Sequence, residues 1–202
     1  MVDPVNYGYL VAYRVRAQAE GQEPDLEVLL VRHPHLDLFA RKPLEYPGEC
    51  MFPGGKYRSG DYVSGRPALL GTAARCFREQ MSYFGALKNL SYLPNYEEQA
   101  YGELRLFHFF AAQVPDLVSV KSSSHIGLPY RWMQPQDALD FIESPSFVEM
   151  QRQGIDKLLA YGHFFKDDAF QQARVISSAT INLLQYLAGE PKMYPLEDPL
   201  NL

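Results

Sequence analysis

Residues 71–87, GTAARCFREQMSYFGAL, decide how the rest of the chain is read. Alanines and arginines favour a helix here, Thr72 stands where an N-cap would, and Gly85 is placed to end it. Ala74, Phe77, Met81 and Phe84 recur at helical spacing, which predicts one apolar face. Just upstream, CMFPGGKY at 50–57 carries Gly54 and Gly55, a pair that opens backbone conformations closed to other residues. Between the two, RSGDYVSGRPALL at 58–70 reads as an inserted loop.

Working outward, YGYLVAYRVRA at 7–17 alternates and is rich in Tyr and Val, and DLEVLLVRH at 25–33 follows a polar Gly- and Pro-containing turn; both predict strands, paired antiparallel. HPHLDLFARKPLEYPGEC at 33–50 is irregular and long enough to be a functional loop or lid. AYGELRLFHFFAAQV at 100–114 predicts a strand buried toward its end. RWMQPQDALDFIE at 131–143 predicts a strand end entering a helix, with Pro135 in the first turn. Two further segments, 146–165 and 167–190, supply one or two helices, and the tail 191–202 reads as irregular. No internal repeat is present. The order predicts an α+β fold, an α/β/α sandwich with helices flanking a mixed central sheet.

At 202 residues, 47% hydrophobic and 21% charged, the chain has the composition of a globular protein and the length for a single domain over 1–202. The net charge is -5 and no basic run tracks a phosphate backbone, so no nucleic-acid partner is expected. No apolar stretch has the length of a membrane span, and the N-terminus lacks the basic and apolar regions of a signal peptide. Cys50 and Cys76 lack the pattern of a disulfide framework or a zinc site, which predicts free thiols and a cytoplasmic protein.

FPGGK, the Arg78-Glu79 pair within the helix, EVLLVRH and RWMQPQDAL together resemble the Nudix hydrolase superfamily, whose signature is G-x5-E-x7-R-E-U-x-E-E-x-G-U with U a bulky aliphatic residue. Started at Gly55, the signature places Asp61 at its first carboxylate. With Arg78-Glu79 as the Arg-Glu pair, residues 62–77 form a spacer of sixteen where the family has seven, an insertion of nine. That register puts Ser82 and Tyr83 at the paired glutamates, Gly85 at the glycine and Ala86 at the last U. The resemblance spans about residues 5–145 and implies a C-terminal helical extension at 146–202. TINLLQYLAG at 180–189 is similar to the C-terminal segment of the long-insert, coenzyme A-directed branch.

The family cleaves a pyrophosphate bond with water activated on Mg²⁺ or Mn²⁺, cations that take oxygen ligands, preferably carboxylates. Its ligands lie at i, i+3 and i+4 on one helix face. The resemblance implies Glu79, Arg78 and Asp61 as the catalytic set, with Asp61 paired to Arg78 to hold the loop against the helix. It also implies Glu79 as a metal ligand, with Glu103 as a replacement, and Gly54, Gly55, Arg32, Tyr57 and Arg58 at the substrate. Glu97 and Glu98 read as surface carboxylates, and Trp132 as core packing rather than a base-stacking ring. The five histidines, His33, His35, His108, His125 and His163, follow no ligand spacing. His125 stands in a loop where some relatives carry a further catalytic carboxylate.

Two functions remain open at this point. One is a hydrolase of a nucleoside diphosphate linked to another moiety, with an altered metal site. The other is a catalytically inactive Nudix-fold module that binds a nucleotide or a protein. The aromatic extension also offers a homodimer interface.

Overall fold

The computed structural model describes residues 3–16, 25–37, 42–43, 48–61, 68–100, 102–114, 130–160, 177–189 and 192–195. In chain order the strands are β1 (Val5–Arg16), β2 (Asp25–Arg32), β3 (Leu36–Asp37), β4 (Lys42–Pro43), β5 (Cys50–Met51), β6 (Gly54–Lys56), β7 (Lys88–Tyr92), β8 (Tyr96–Ala100), β9 (Glu103–Gln113), β10 (Tyr130–Met133) and β11 (Tyr194–Pro195). The helices are α1 (Ala68–Met81), α2 (Pro135–Glu143), α3 (Pro145–Ala160) and α4 (Ser178–Ala188), and a 3₁₀ turn spans Ser59–Asp61.

The main sheet runs β10-β2-β1-β9-β7-β11, with β5 added to β2, β6 to β1 and β8 to β9. β1 and β9 are parallel, from Val5 opposite Arg105 to Tyr13 opposite Gln113, and the other pairs are antiparallel, so the sheet is mixed as expected. Alternation sorts the strand residues into two cores. Leu10, Ala12, Leu29, Val31, Phe110 and Ala112 face α1, which contributes Leu70, Ala73, Phe77 and Met81. Tyr9, Val11, Val28, Leu30, Phe107 and Phe109 face α2 and α4, which contribute Ala138, Ile142, Leu183, Leu184 and Leu187. This is the α/β/α sandwich.

α1 differs from its sequence reading at both ends. It begins at Ala68, so Thr72 lies inside it rather than capping it. It ends at Met81, and Ser82 takes the left-handed turn with φ 49°, four residues before its chain would reach Ala86 and three before Gly85. The predicted apolar stripe is therefore cut short: Ala74, Phe77 and Met81 are buried, but Phe84 is 81% exposed. Tyr83 is buried instead, edge-on to Phe77, with its hydroxyl donating to the Ala86 carbonyl at 3.0 Å. At the other end of the chain, Tyr194 and Pro195 pair with Tyr92 and Ser91, where the tail had read as irregular.

α1 crosses β1 at Gly8. A Cβ there would lie 2.4 Å from the Leu69 carbonyl oxygen and 3.1 Å from the Thr72 Cβ, so only a glycine lets the helix come this close. Gly8→Ala is expected to destabilise the chain by about 1–3 kcal/mol, the range for overpacking a well-filled core, because the clash is with backbone. Urea unfolding reads this directly, and an unchanged midpoint would mean that α1 slides freely.

Candidate active site on the Gly54–Asp61 loop and helix α1

One edge of β1 is shared. Its C-terminal half pairs with β2 and its N-terminal half with β6, Tyr9 standing opposite Gly54 and Tyr7 opposite Lys56. Where the two diverge, Leu10 N–H donates to the Pro53 carbonyl, which sets the Pro-Gly-Gly turn against the sheet. β6 then runs beneath α1: a Cβ on Gly55 would lie 3.1 Å from the Cys76 sulfur, and one on Gly54 would meet the Tyr9 ring at 2.1 Å.

The loop after β6 is held by Asp61, buried and surrounded by donors. Arg75 donates from Nε at 2.5 Å and from Nη2 at 3.0 Å in a bidentate pair; Thr72 donates its hydroxyl at 2.8 Å and Arg58 its backbone N–H at 2.9 Å. The Arg75 pair, first among these, holds the carboxyl well below the usual range, at about 2. The expected partner was Arg78. The structure gives that role to Arg75, one turn earlier, because α1 starts at Ala68 and so turns Arg75 toward the loop. Arg78 has no ion pair among the described residues.

Arg75 also donates from Nη1 to Glu79 at 3.0 Å, one helical turn on. Glu79 is half-exposed at the rim of the loop. The neighbouring Gln80 turns inward, its Nε2 donating to the Gly54 carbonyl at 2.9 Å and its Oε1 accepting from the Gly54 N–H at 3.1 Å.

Placed on the arginine that clasps Asp61, the signature reads differently. Arg75 is its arginine, Cys76 stands for the adjacent glutamate, Phe77 is the U, Glu79 and Gln80 stand for the glutamate pair, Ser82 for the glycine and Tyr83 for the last U. The spacer becomes residues 62–74, thirteen instead of seven, an insertion of six. Three observations choose this register. Phe77 and Tyr83 are buried apolar positions, and Ser82 holds the positive φ that a signature glycine would supply. In the earlier register Gln80, a polar residue, filled the U position.

In this register the signature's i, i+3 and i+4 positions fall on Cys76, Glu79 and Gln80, of which one is a carboxylate. Burial pushes the Cys76 thiol up to about 11, so it is protonated at neutral pH, and it packs on Gly55. Both amide atoms of Gln80 are engaged by Gly54. Glu79 shares its charge with Arg75. Among the described residues no three His, Cys, Asp or Glu side chains gather to hold a metal. These donors do not fit a hard divalent cation.

Of the other expected site residues, Gly54 and Gly55 meet Gln80 and Cys76 of α1, while Tyr57 and Arg58 follow in the loop, bonded through their N–H groups to Asn6 and Asp61. Glu103 does not join them. It shares the face of Phe107 and Phe109, the one turned away from α1. Its neighbour is the buried Arg105 at 3.7 Å. Arg32 sits opposite Cys50 in β2, sharing the Val28 and Leu30 face, and is likewise turned away from α1. Glu98 anchors α4, accepting from the Ser178 N–H and hydroxyl. Trp132 is partly buried against the α1-side core, with Arg14 over its ring at 4.6 Å. His125 and His163 lie outside the described residues.

No family model matches the sequence, and no curated protein matches it. Solved structures do. The chain is similar to a crystal structure of a Nudix hydrolase from Alicyclobacillus acidocaldarius, with a TM-score of 0.58 at 16% identity, over 95% of this chain and 94% of that one. It is also similar to a mutT/nudix family protein from Listeria innocua, with a TM-score of 0.50 at 16% identity, over 80% of this chain and 98% of the other. A shared fold does not require a shared reaction. The fold of this chain is that of the Nudix superfamily.

Proposed function

We propose that this chain is a Nudix-fold module that binds a nucleoside diphosphate derivative without hydrolysing it through a metal ion. The observation that carries this reading is Gln80: at a ligand position of the signature it presents a neutral carboxamide whose two polar atoms are both bonded to Gly54. Cys76 removes a second charge from the same face. What the loop retains is cationic, since Lys56 and Arg58 are exposed beside it and Arg78 has no acidic partner among the described residues. Such side chains attract a diphosphate directly, as charge-assisted donors.

A metal-assisted hydrolase is the second reading, favoured by Glu79, a carboxylate left half-exposed at the rim. Calorimetric titration with ADP and with an ADP-linked sugar, in EDTA and then in Mg²⁺ or Mn²⁺, separates the two when run beside an assay for released mononucleotide. Binding is expected to change by no more than about twofold between EDTA and metal, a difference under ~0.5 kcal/mol, with no product formed. Product that appears only with metal and disappears in Glu79→Gln would establish the hydrolase.

A further inference from the structure

Gly54 uses its Tyr9-facing side to join the sheet, and its N–H and C=O turn outward from β6 toward α1. Left alone, those two groups would be an unpaired strand edge beside a helix. The Gln80 carboxamide pairs them as a neighbouring strand would, donor to acceptor and acceptor to donor, at 2.9 and 3.1 Å. A carboxylate at this position could accept from the N–H, but its second oxygen would face the Gly54 carbonyl oxygen. Two acceptors at that distance repel unless a cation lies between them. The amide nitrogen removes the need for that cation.

We propose that Gln80 does structurally what a divalent cation would have to do beside a glutamate: it fixes the Pro53–Lys56 turn against α1 and so makes the shape of the loop independent of metal. The turn is continuous with the Asp61 clasp, since Arg75 also donates to the Lys56 carbonyl at 3.4 Å. Loop, clasp and helix therefore form one preorganised surface, held by these side chains together with the pairing of β6 on β1. This deepens the binding reading above and rests on it only for the ligand; the clamp is a property of the free protein and is tested without one.

The experiment compares the wild type with Gln80→Glu and Gln80→Ala by thermal unfolding in EDTA and in MgCl₂ or MnCl₂, and by amide exchange at Gly54. The wild-type midpoint is expected to be the same in EDTA and in metal. Gln80→Glu is expected to unfold earlier in EDTA and to recover in metal, whereas Gln80→Ala loses stability in both. Exchange at Gly54 is expected to quicken by about tenfold or more in Gln80→Ala as local opening becomes easier. Should Gln80→Glu fail to fold, the wild-type metal series and the Gly54 exchange in Gln80→Ala still decide. A wild type stabilised by metal, a Gln80→Glu chain insensitive to it, or unchanged exchange at Gly54 would overturn the proposal. Hydrolysis by the wild type would instead overturn the binding reading and leave the clamp standing.

Discussion

Asp61→Ala is expected to destabilise the chain by about 3–5 kcal/mol, the range for breaking a buried pair by removing one partner. At this chain length that lowers the melting temperature by roughly 10 °C. The loss has three parts: Arg75 is left largely buried without its bidentate acceptor, the buried Thr72 hydroxyl loses its 2.8 Å bond, and the Arg58 N–H loses the contact that closes the turn. Arg75→Ala should approach the same effect, and the double variant should cost far less than the sum, since both single changes break one interaction. Arg78→Ala is the control, expected within about 0.5 kcal/mol of wild type as a surface substitution. A large effect at Arg78 with none at Arg75 would restore the register read from the sequence.

The pair also fixes an acid limit. Because the Asp61 carboxyl is held down at about 2 by Arg75, its contribution is complete above the ordinary carboxylate range, near pH 4. It is lost as pH falls through about 2. Asp61→Asn should therefore flatten the acid limb of the stability curve between these values.

Glu49→Gln is expected to have the opposite sign, making the protein more stable above neutral pH. Glu49 is fully buried just before β5, where its backbone carbonyl accepts from the His33 N–H. Its Oε1 accepts from the Ser177 N–H at 2.8 Å and from the Thr180 hydroxyl at 3.2 Å, so it caps the first turn of α4. Oε2 has no hydrogen-bond partner among the described residues. Burial raises this carboxyl to about 8, against the lowering effect of the two bonds, and the neighbouring Glu98 charge raises it further. The folded state therefore holds a proton that the unfolded chain has released. Stability from this group is complete below about pH 4.5 and declines as pH rises through about 8, at up to ~1.4 kcal/mol per pH unit.

The glutamine keeps the accepting oxygen and replaces the orphaned one with an N–H₂ that never ionises. The difference between wild type and Glu49→Gln in urea titrations from pH 5 to 9 isolates this residue. It cancels His33, which burial lowers to about 4 and which acts on the acid side. A difference that stays flat with pH would mean that water reaches Oε2. Glu49→Ala should be worse than either at every pH. It leaves the Ser177 and Thr180 donors unpaired beside the helix that brings Leu183, Leu184 and Leu187 into the core, and each unpaired donor costs about 1–3 kcal/mol.

The layered fold was legible in local patterns. Alternation is a consequence of strand geometry, and both 7–17 and 100–114 hold strands; β9 is buried toward its end as read, whereas β1 is buried on both faces from Tyr7 to Tyr13. Pro135 in the first turn of α2, the glycines of the Pro-Gly-Gly turn and the helix around Ala74 and Phe77 follow from backbone restrictions that act within a few residues. What a short window could not decide was phase. Arg75 and Arg78 are both one turn or less from Glu79, so spacing alone permits either to meet Asp61. The choice depends on where α1 starts and how closely it lies on β1, and that approach is set by Gly8, more than sixty residues away in sequence.

The same limit applies to the charged residues. Glu103 and Glu49 look alike in sequence, as acids near a strand end, but β9 turns the first away from α1 while β5 buries the second under α4. By itself the sequence determined the mixed sheet and the helix that carries Glu79. Only the tertiary structure decided which residues of α1 meet the loop, because Cys76 and Gln80 lie against Gly55 and Gly54, which β6 brings beneath α1 by pairing with β1.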